Sequence, residues 1–266
     1  MSDTLFTLSG KIGDNLARLP IAYKFAKQHS IKVDLLIDNA STPIKKLLED
    51  EEWVENVIVS NKSISYGYGG QPYNMHMTKE DELSYKKVFH LGYRIVPITE
   101  HFTIQSLRGS ECPLDESDIL DQRPITINHK KIKNILVHID AAKDSMRREA
   151  KALLLSVWDQ IDFDNYYFVG RDLSSNFYDD FSVKPIIKIN SEEGFHELKK
   201  YMQDSVVFCI DSSIRWLAYC CGNKCVVVRH AGEVSFNGKP SPNEIVVEKN
   251  DKDLVIEKLR GFYEKD

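Results

Sequence analysis

Two aspartate-containing turns in this 266-residue chain stand where chemistry is feasible. The first is Ser9-Gly10-Lys11-Ile12-Gly13-Asp14, between the apolar run Leu5–Leu8 and a helical pattern that continues to His29. Gly10 and Gly13 let the backbone turn sharply and pass close to a ligand. Asp14 falls where a helix N-cap is expected, against the unpaired amides of the first turn. A carboxylate held there can be a structural cap, a general base for a hydroxyl proton, or both. The second turn, Asp211-Ser212-Ser213, ends the apolar run Val206–Ile210 and precedes a helical pattern from Ile214. Its amides and hydroxyls, with the helix dipole, suit a phosphate group. Arg215 adds a cation able to make paired hydrogen bonds to a diphosphate. The same Asp-Ser spelling is also a common helix cap.

Further candidates lie at strand ends. The run Asn134–Ile139 leads into Asp140, Lys143, Arg147 and Arg148, which places a basic group on the same side as Asp211. For the two arginines the alternative is helix-surface charge. Tyr166–Val169 ends in Gly170, where a nucleotide base could lie against backbone.

These groups need a scaffold, and the periodicity supplies one. Strand patterns alternate with helical ones, which implies parallel sheets covered by helices. In the first half the strands read as Leu5–Leu8, Val33–Ile37, Val57–Val59 and Lys87–His90, with a helix over Asn15–His29 that contains Pro20. Proline inside that pattern removes one backbone hydrogen bond and predicts a bend. Thr42-Pro43 reads as the start of the next helix. In the second half the strands are Asn134–Ile139, Tyr166–Val169, Ile186–Ile189, Val206–Ile210, Cys225–Val228 and Ile245–Val247. Helices fit near 146–161, 192–204, 213–221 and 252–264, the second capped by Asn190-Ser191-Glu192-Glu193. Gln122–Lys133, with Pro124 and the basic run His129–Lys133, reads as a solvated hinge between domains 1–128 and 129–266. Two stretches resist the alternation. Residues 66–77 are rich in glycine and tyrosine, and Leu91–Asp121 carries Arg94, His101 and Arg108. Long irregular segments of this kind are binding loops or plain connections. Tyr66, Tyr68 and Tyr73 suit stacking against a sugar or a base.

Composition narrows the class. With 42% hydrophobic and 28% charged residues the chain can build two ordinary cores. No apolar run approaches a membrane span. The opening Met1-Ser2-Asp3-Thr4 carries no export signal, so a cytoplasmic protein is expected. A net charge of -5 gives no global field for nucleic acid, so any polyanion would need a local patch. Five cysteines, an odd number, argue for reduced thiols. Cys220, Cys221 and Cys225 lack finger spacing and read as core.

Taken together, the residues resemble glycosyltransferase family 9, the heptosyltransferase group. That family carries a first strand followed by G-D-x-L-x-x-x-P, spelled here Gly13-Asp14-Asn15-Leu16-Ala17-Arg18-Leu19-Pro20. The likeness continues through Lys32–Val59, including Trp53-Val54-Glu55-Asn56-Val57-Ile58, and reappears at Glu197–Val206, Asp211-Ser212-Ser213, Leu217-Ala218 and Gly222. The resemblance implies a GT-B fold: two Rossmann-like domains with parallel sheets facing across a cleft. It also implies an N-terminal acceptor domain, a C-terminal nucleotide-sugar domain, and a last helix that crosses back. Carried over, Asp14 is the acceptor base, while Asp211, Ser212, Ser213 and Lys143 or Arg147 hold the donor diphosphate. Acceptor contacts fall on Gly13, the three tyrosines, Arg94, His101 and Arg108. No cofactor or metal is implied, the nucleotide sugar being a co-substrate. The chain departs from the pattern at Ser213, a glycine in the family, and at Trp216, a histidine there; Arg215 is the residue available to compensate. A glycan acceptor is expected. The rivals are a hydroxymethylated base in DNA, an epimerase-like relative, and a non-catalytic nucleotide-sugar binding module.

Overall fold

The computed structural model describes residues 2–60, 84–91, 100–140, 144–170, 176–181, 183–190, 194–229 and 240–263. The expected loop tyrosines Tyr66, Tyr68 and Tyr73, with Arg94 and Lys143, lie outside the described residues. Two compact units emerge, Met1–Thr126 with Val234–Pro242, and Ile127–Glu233 with Asn243–Asp266.

The first unit is built on strands β1 (Thr4–Leu8), β2 (Val33–Ile37), β3 (Val54–Val59) and β4 (Lys87–His90). They pair in the order β3-β2-β1-β4, and every pairing is parallel. All five residues of β1 and of β2 are buried, as parallel strands covered on both faces require. Helix α1 (Ile12–His29) follows β1 and buries Leu16, Leu19, Ala22 and Phe25. The Phe25 ring lies 5.4 Å from Phe6 on β1 and 5.0 Å from Phe89 on β4, which locks the helix to both strands. Burial of such a ring contributes roughly 1.5–3 kcal/mol. Pro20 sits inside α1 and the helix continues through it. One turn earlier the Ala17 carbonyl accepts a hydrogen bond from the Thr103 hydroxyl at 2.6 Å. Thr103 belongs to α3 (Phe102–Arg108), which packs on α1.

Thr42-Pro43 does not open a helix. Both residues lie within a 3-10 turn, Asn39–Ile44, capped by Asp38, whose carboxylate accepts from the Ala40 amide at 2.7 Å. The short helix α2 (Lys45–Glu49) begins only afterwards.

The second unit holds a six-stranded parallel sheet. Its strands are β5 (Asn134–His138), β6 (Asn165–Gly170), β7 (Ile186–Asn190), β8 (Ser205–Ile210), β9 (Cys225–Val228) and β10 (Glu244–Val247). The order is β10-β9-β8-β5-β6-β7. Helices α4 (Asp144–Val157), α5 (Phe195–Met202), α6 (Ser213–Cys221) and α7 (Lys252–Phe262) cover it. One core joins Ile135, Val137, Phe168 and Phe208 of the sheet to Leu154 and Trp158, and to Val255 and Leu259 of α7.

Helix α7 belongs to the second unit, where it packs on α4, and Tyr263 just beyond it donates to Asp164 at 2.8 Å. One helix start is corrected. Helix α5 takes its N-cap from Gly194 at φ 99°, a backbone state that favours glycine. Ser191–Glu193 lie outside the described residues. The segment read as a linker is anchored at both ends, while His129, Lys130 and Lys131 of its basic run are exposed. Trp53 Nε1 donates to the Pro124 carbonyl at 2.8 Å, and the Thr126 amide donates to Glu51 at 3.0 Å. Beyond it, the Lys130 amide donates to Gln203 O at 2.8 Å and the Lys133 amide to Asp204 O at 3.0 Å. All five cysteines are buried, so Cys220, Cys221 and Cys225 pack into the core.

Candidate functional site

In an open parallel sheet, ligands bind outside the carboxyl ends of the strands, where the chain reverses its direction of travel across the sheet. The first sheet reverses between β1 and β4. The turn after β1 passes through Gly10 at φ 110° and enters α1. Asp14 is not the N-cap. Lys11 holds that place, and Asp14, three residues on and half-buried, reaches back so that its Oδ2 accepts from the Lys11 amide at 3.0 Å. The carboxylate is therefore both a cap and a group at the strand mouth.

Two side chains that the sequence reading passed over fix this turn. Asn15 is fully buried, and its Nδ2 donates to the Gly10 carbonyl at 3.1 Å and to Ser41 Oγ. Arg18, 3% exposed, donates from Nη1 to the Ser9 carbonyl and from Nε to Ser106 Oγ at 3.3 Å, with its guanidinium 4.8 Å from the Phe102 ring centre. A glycine turn ordinarily loses much backbone freedom on folding; here its carbonyls are held by buried donors. His90 was also passed over. It ends β4 beside this turn, exposed, with Nδ1 2.9 Å from the buried Thr7 hydroxyl.

Two expected acceptor residues have partners within the first unit. His101 is buried and caps α3, its Nδ1 accepting from the Thr103 amide at 3.3 Å. Arg108 is held between carboxylates on the exposed end of α3, with Glu100 and Glu116 each at 2.7 Å. Its side chain remains 51% exposed. Gly13 stands half-buried in the first turn of α1.

The second sheet reverses between β5 and β8. Counted along the chain, its strands lie in the order 3-2-1-4-5-6, the arrangement of dinucleotide-binding sheets. Beyond β5, Arg147 Nε lies 3.5 Å from Asp140, while Arg148 pairs with Asp144 at 3.0 Å on the exposed helix surface. Gly170 ends β6 and is buried. Beyond β8, Ser212 is the N-cap of α6 in extended backbone, yet its hydroxyl makes no capping bond. That oxygen is shielded from solvent and has no hydrogen-bond partner among the described residues. The first turn of α6, which starts at Ser213, carries no acidic residue.

Arg215 is not where a diphosphate could meet it. Its side chain is 3% exposed, and its Nε and Nη2 face Glu244 at 2.6 and 3.4 Å. Nη1 takes the Asp211 carboxylate at 3.1 Å, and the guanidinium lies 4.5 Å from the Trp216 ring centre. Burial alone would lower the Arg215 pKa, but Glu244 and then Asp211 outweigh it, so the group is held charged above its ordinary range. Donor contact by Arg215 is excluded on this geometry, and Asp211 spends one carboxylate oxygen on the same pair. Glu244, 29 residues away in sequence, carried no local signal that could have revealed it.

No family model matches the sequence, and no curated protein matches it. Solved structures match from end to end. The family 9 glycosyltransferase from Veillonella parvula gives a TM-score of 0.63 at 14% identity, over 98% of this chain and 90% of that one. E. coli heptosyltransferase WaaC with ADP gives 0.60 at 13% identity, over 96% of this chain and 99% of that one. E. coli ADP-heptose heptosyltransferase II gives 0.53 at 11% identity, covering 98% of each. The fold is heptosyltransferase-like. At these identities the likeness is one of fold, and it is the α/β, GT-B type that the sequence resemblance implies. Within this heptosyltransferase-like fold, the Asp14 turn and the Asp211–Ser213 turn each occupy the reversal point of their own sheet.

Proposed function

We propose that this chain is a glycosyltransferase that moves a sugar from a nucleotide-sugar donor to an acceptor hydroxyl. The observation that carries the reading is the full-length likeness to heptosyltransferases, together with the unused Ser212 hydroxyl at the second reversal point. Asp14 accepts the proton of the acceptor hydroxyl as its oxygen attacks the anomeric carbon. The bond from that carbon to the diphosphate breaks, and the nucleoside diphosphate leaves with the electron pair. The first-turn amides of α6, the hydroxyls of Ser212 and Ser213, and Arg147 or Lys143 meet the charge that develops on it. Arg215 takes no part by contact. On this reading no metal is needed, and a divalent-cation requirement for transfer would set that part aside. Among the described residues no helix is long and apolar enough to cross a membrane; the expected compartment is the cytoplasm.

The first test is thermal stabilisation by ADP-, UDP-, GDP- and CMP-sugars, ADP-heptose included because a related structure holds an ADP-heptose analogue. A donor at a hundred times its Kd adds about 2.7 kcal/mol to stability, a shift in Tm of several degrees. No shift with any of them would remove the donor reading. With a donor in hand, acceptor binding sorts the classes: a DNA acceptor loses affinity steeply with added salt, and a neutral glycan does not.

A further inference from the structure

We propose that Glu244 and Arg215 form a buried clamp that positions the Asp211–Ser213 turn for the donor's diphosphate without touching it. The inference rests on the donor reading above, and it assigns work to a residue that no motif marks.

The clamp reaches in two directions. Two edges of the Arg215 guanidinium are used: Nε and Nη2 on the two Glu244 oxygens, and Nη1 on Asp211, the residue immediately before the N-cap. Paired, near-planar contacts of this kind fix direction as well as distance. Holding Asp211 from below fixes the last residue before Ser212, which in turn sets where the first-turn amides of α6 point. The far end of α6 is tied to the same place in the chain. Asn243, adjacent to Glu244, donates from Nδ2 to the carbonyl of Gly222, the C-cap of α6, at 2.8 Å. Helix α6 is thus held near both ends by two consecutive residues at the start of β10.

Stability does not explain this choice. A buried pair of charges is often no better for stability than two apolar side chains of similar volume. Glu244 at 1% side-chain exposure and Arg215 at 3% are desolvated almost completely. What apolar side chains could not supply is a directed hold on Asp211. Meanwhile Ser212 Oγ has no hydrogen-bond partner among the described residues. The clamp orients the turn, and the turn's own polar groups remain for a ligand.

The test separates a positioning role from a merely structural one by using the double variant Arg215→Met with Glu244→Leu in the full chain. Apolar replacements are expected to keep Tm near or above that of the wild type, while affinity for ADP and for inorganic pyrophosphate, by calorimetry at 15 °C, falls at least tenfold. Hydrogen exchange at residues 211–216 should accelerate in the same protein. Glu244→Gln keeps one hydrogen bond to Arg215 and supplies the same readings should the double variant not fold; its expected loss of affinity is about fivefold. Wild-type affinity in a folded variant overturns the clamp and leaves the donor reading standing. Wild-type protein that binds neither ADP nor pyrophosphate overturns both.

Discussion

The two turns at the two reversal points are built in opposite ways. At the mouth of the first sheet, the backbone is held by neutral and cationic donors that grip carbonyls: Asn15 on Gly10, and Arg18 on Ser9. The helix start there is already occupied by a carboxylate, Asp14, which caps the Lys11 amide. At the mouth of the second sheet, the turn is held from below by the Arg215–Asp211–Glu244 charges, and the helix start above it carries no acidic residue and no capping side chain. A helix N-terminus favours negative charge. The first one meets that preference with the protein's own carboxylate, so an anion there would meet repulsion. The second has Asp211 just before its N-cap, with one oxygen committed to Arg215. The difference fits the proposed reading, with a neutral hydroxyl-bearing acceptor at the first turn and an anionic donor at the second.

That contrast can be broken. The largest effect is expected for Asp14→Asn. Asparagine keeps a hydrogen-bonding side chain at the helix start, so Tm should hold, while transfer falls by about 10²–10⁴ through loss of the base. Turnover of the donor found by thermal screening measures it, and an Asn variant with full activity leaves Asp14 as a cap alone. Next comes Arg215→Ala, which strands a buried Glu244. Urea unfolding should show a loss of about 3–5 kcal/mol, as for other buried pairs broken on one side. A loss below 1 kcal/mol would mean that the second turn is not held by these charges. Smaller still, Ser212→Ala with Ser213→Ala should weaken ADP binding about tenfold by calorimetry, and the corresponding Asn15→Ala at the first turn should not change ADP affinity. If both changes weaken ADP equally, the two turns are not specialised.

The smallest effect lies outside both turns. Glu116 is lowered below the ordinary carboxylate range, chiefly by its hydrogen bond from Arg108, with burial opposing. A carboxyl lowered on folding adds stability above its ordinary value, and that contribution is lost as pH falls through the folded value. Arg108→Ala should therefore lower stability slightly at neutral pH and leave it unchanged below the folded value, which flattens the acid side of the curve; the effect is small because the pair is exposed. Weakened acceptor binding in this variant would place Arg108 at the acceptor site.

Much of the fold was legible in the sequence for a simple reason. Strands of a parallel sheet are covered on both faces, so they appear as unbroken apolar runs; Val33–Ile37 and Cys225–Val228 are read to the residue. Helix starts were harder, because local spelling is ambiguous there. Asp14 looks like an N-cap, but the positive φ of Gly10 places the entry at Lys11. Thr42-Pro43 spells a helix start, and Asp38 had already begun a 3-10 turn. Side-chain commitments were not legible at all. A lone arginine one turn into a helix looks available until a glutamate from a distant strand is found against it. The partners of His101 and Arg108 are likewise set by packing, not by spacing. His90 sat at the end of a strand whose bounds were read correctly, but only the register with β1 puts Thr7 against its ring.

The Ser212 hydroxyl carries one more consequence. Among the described residues its oxygen meets no partner, and a shielded polar atom left so costs roughly 1–3 kcal/mol. Ser212→Ala alone is therefore expected to hold or raise Tm, and if the proposed donor role is right the same change weakens binding, robustness at rest traded against readiness to bind.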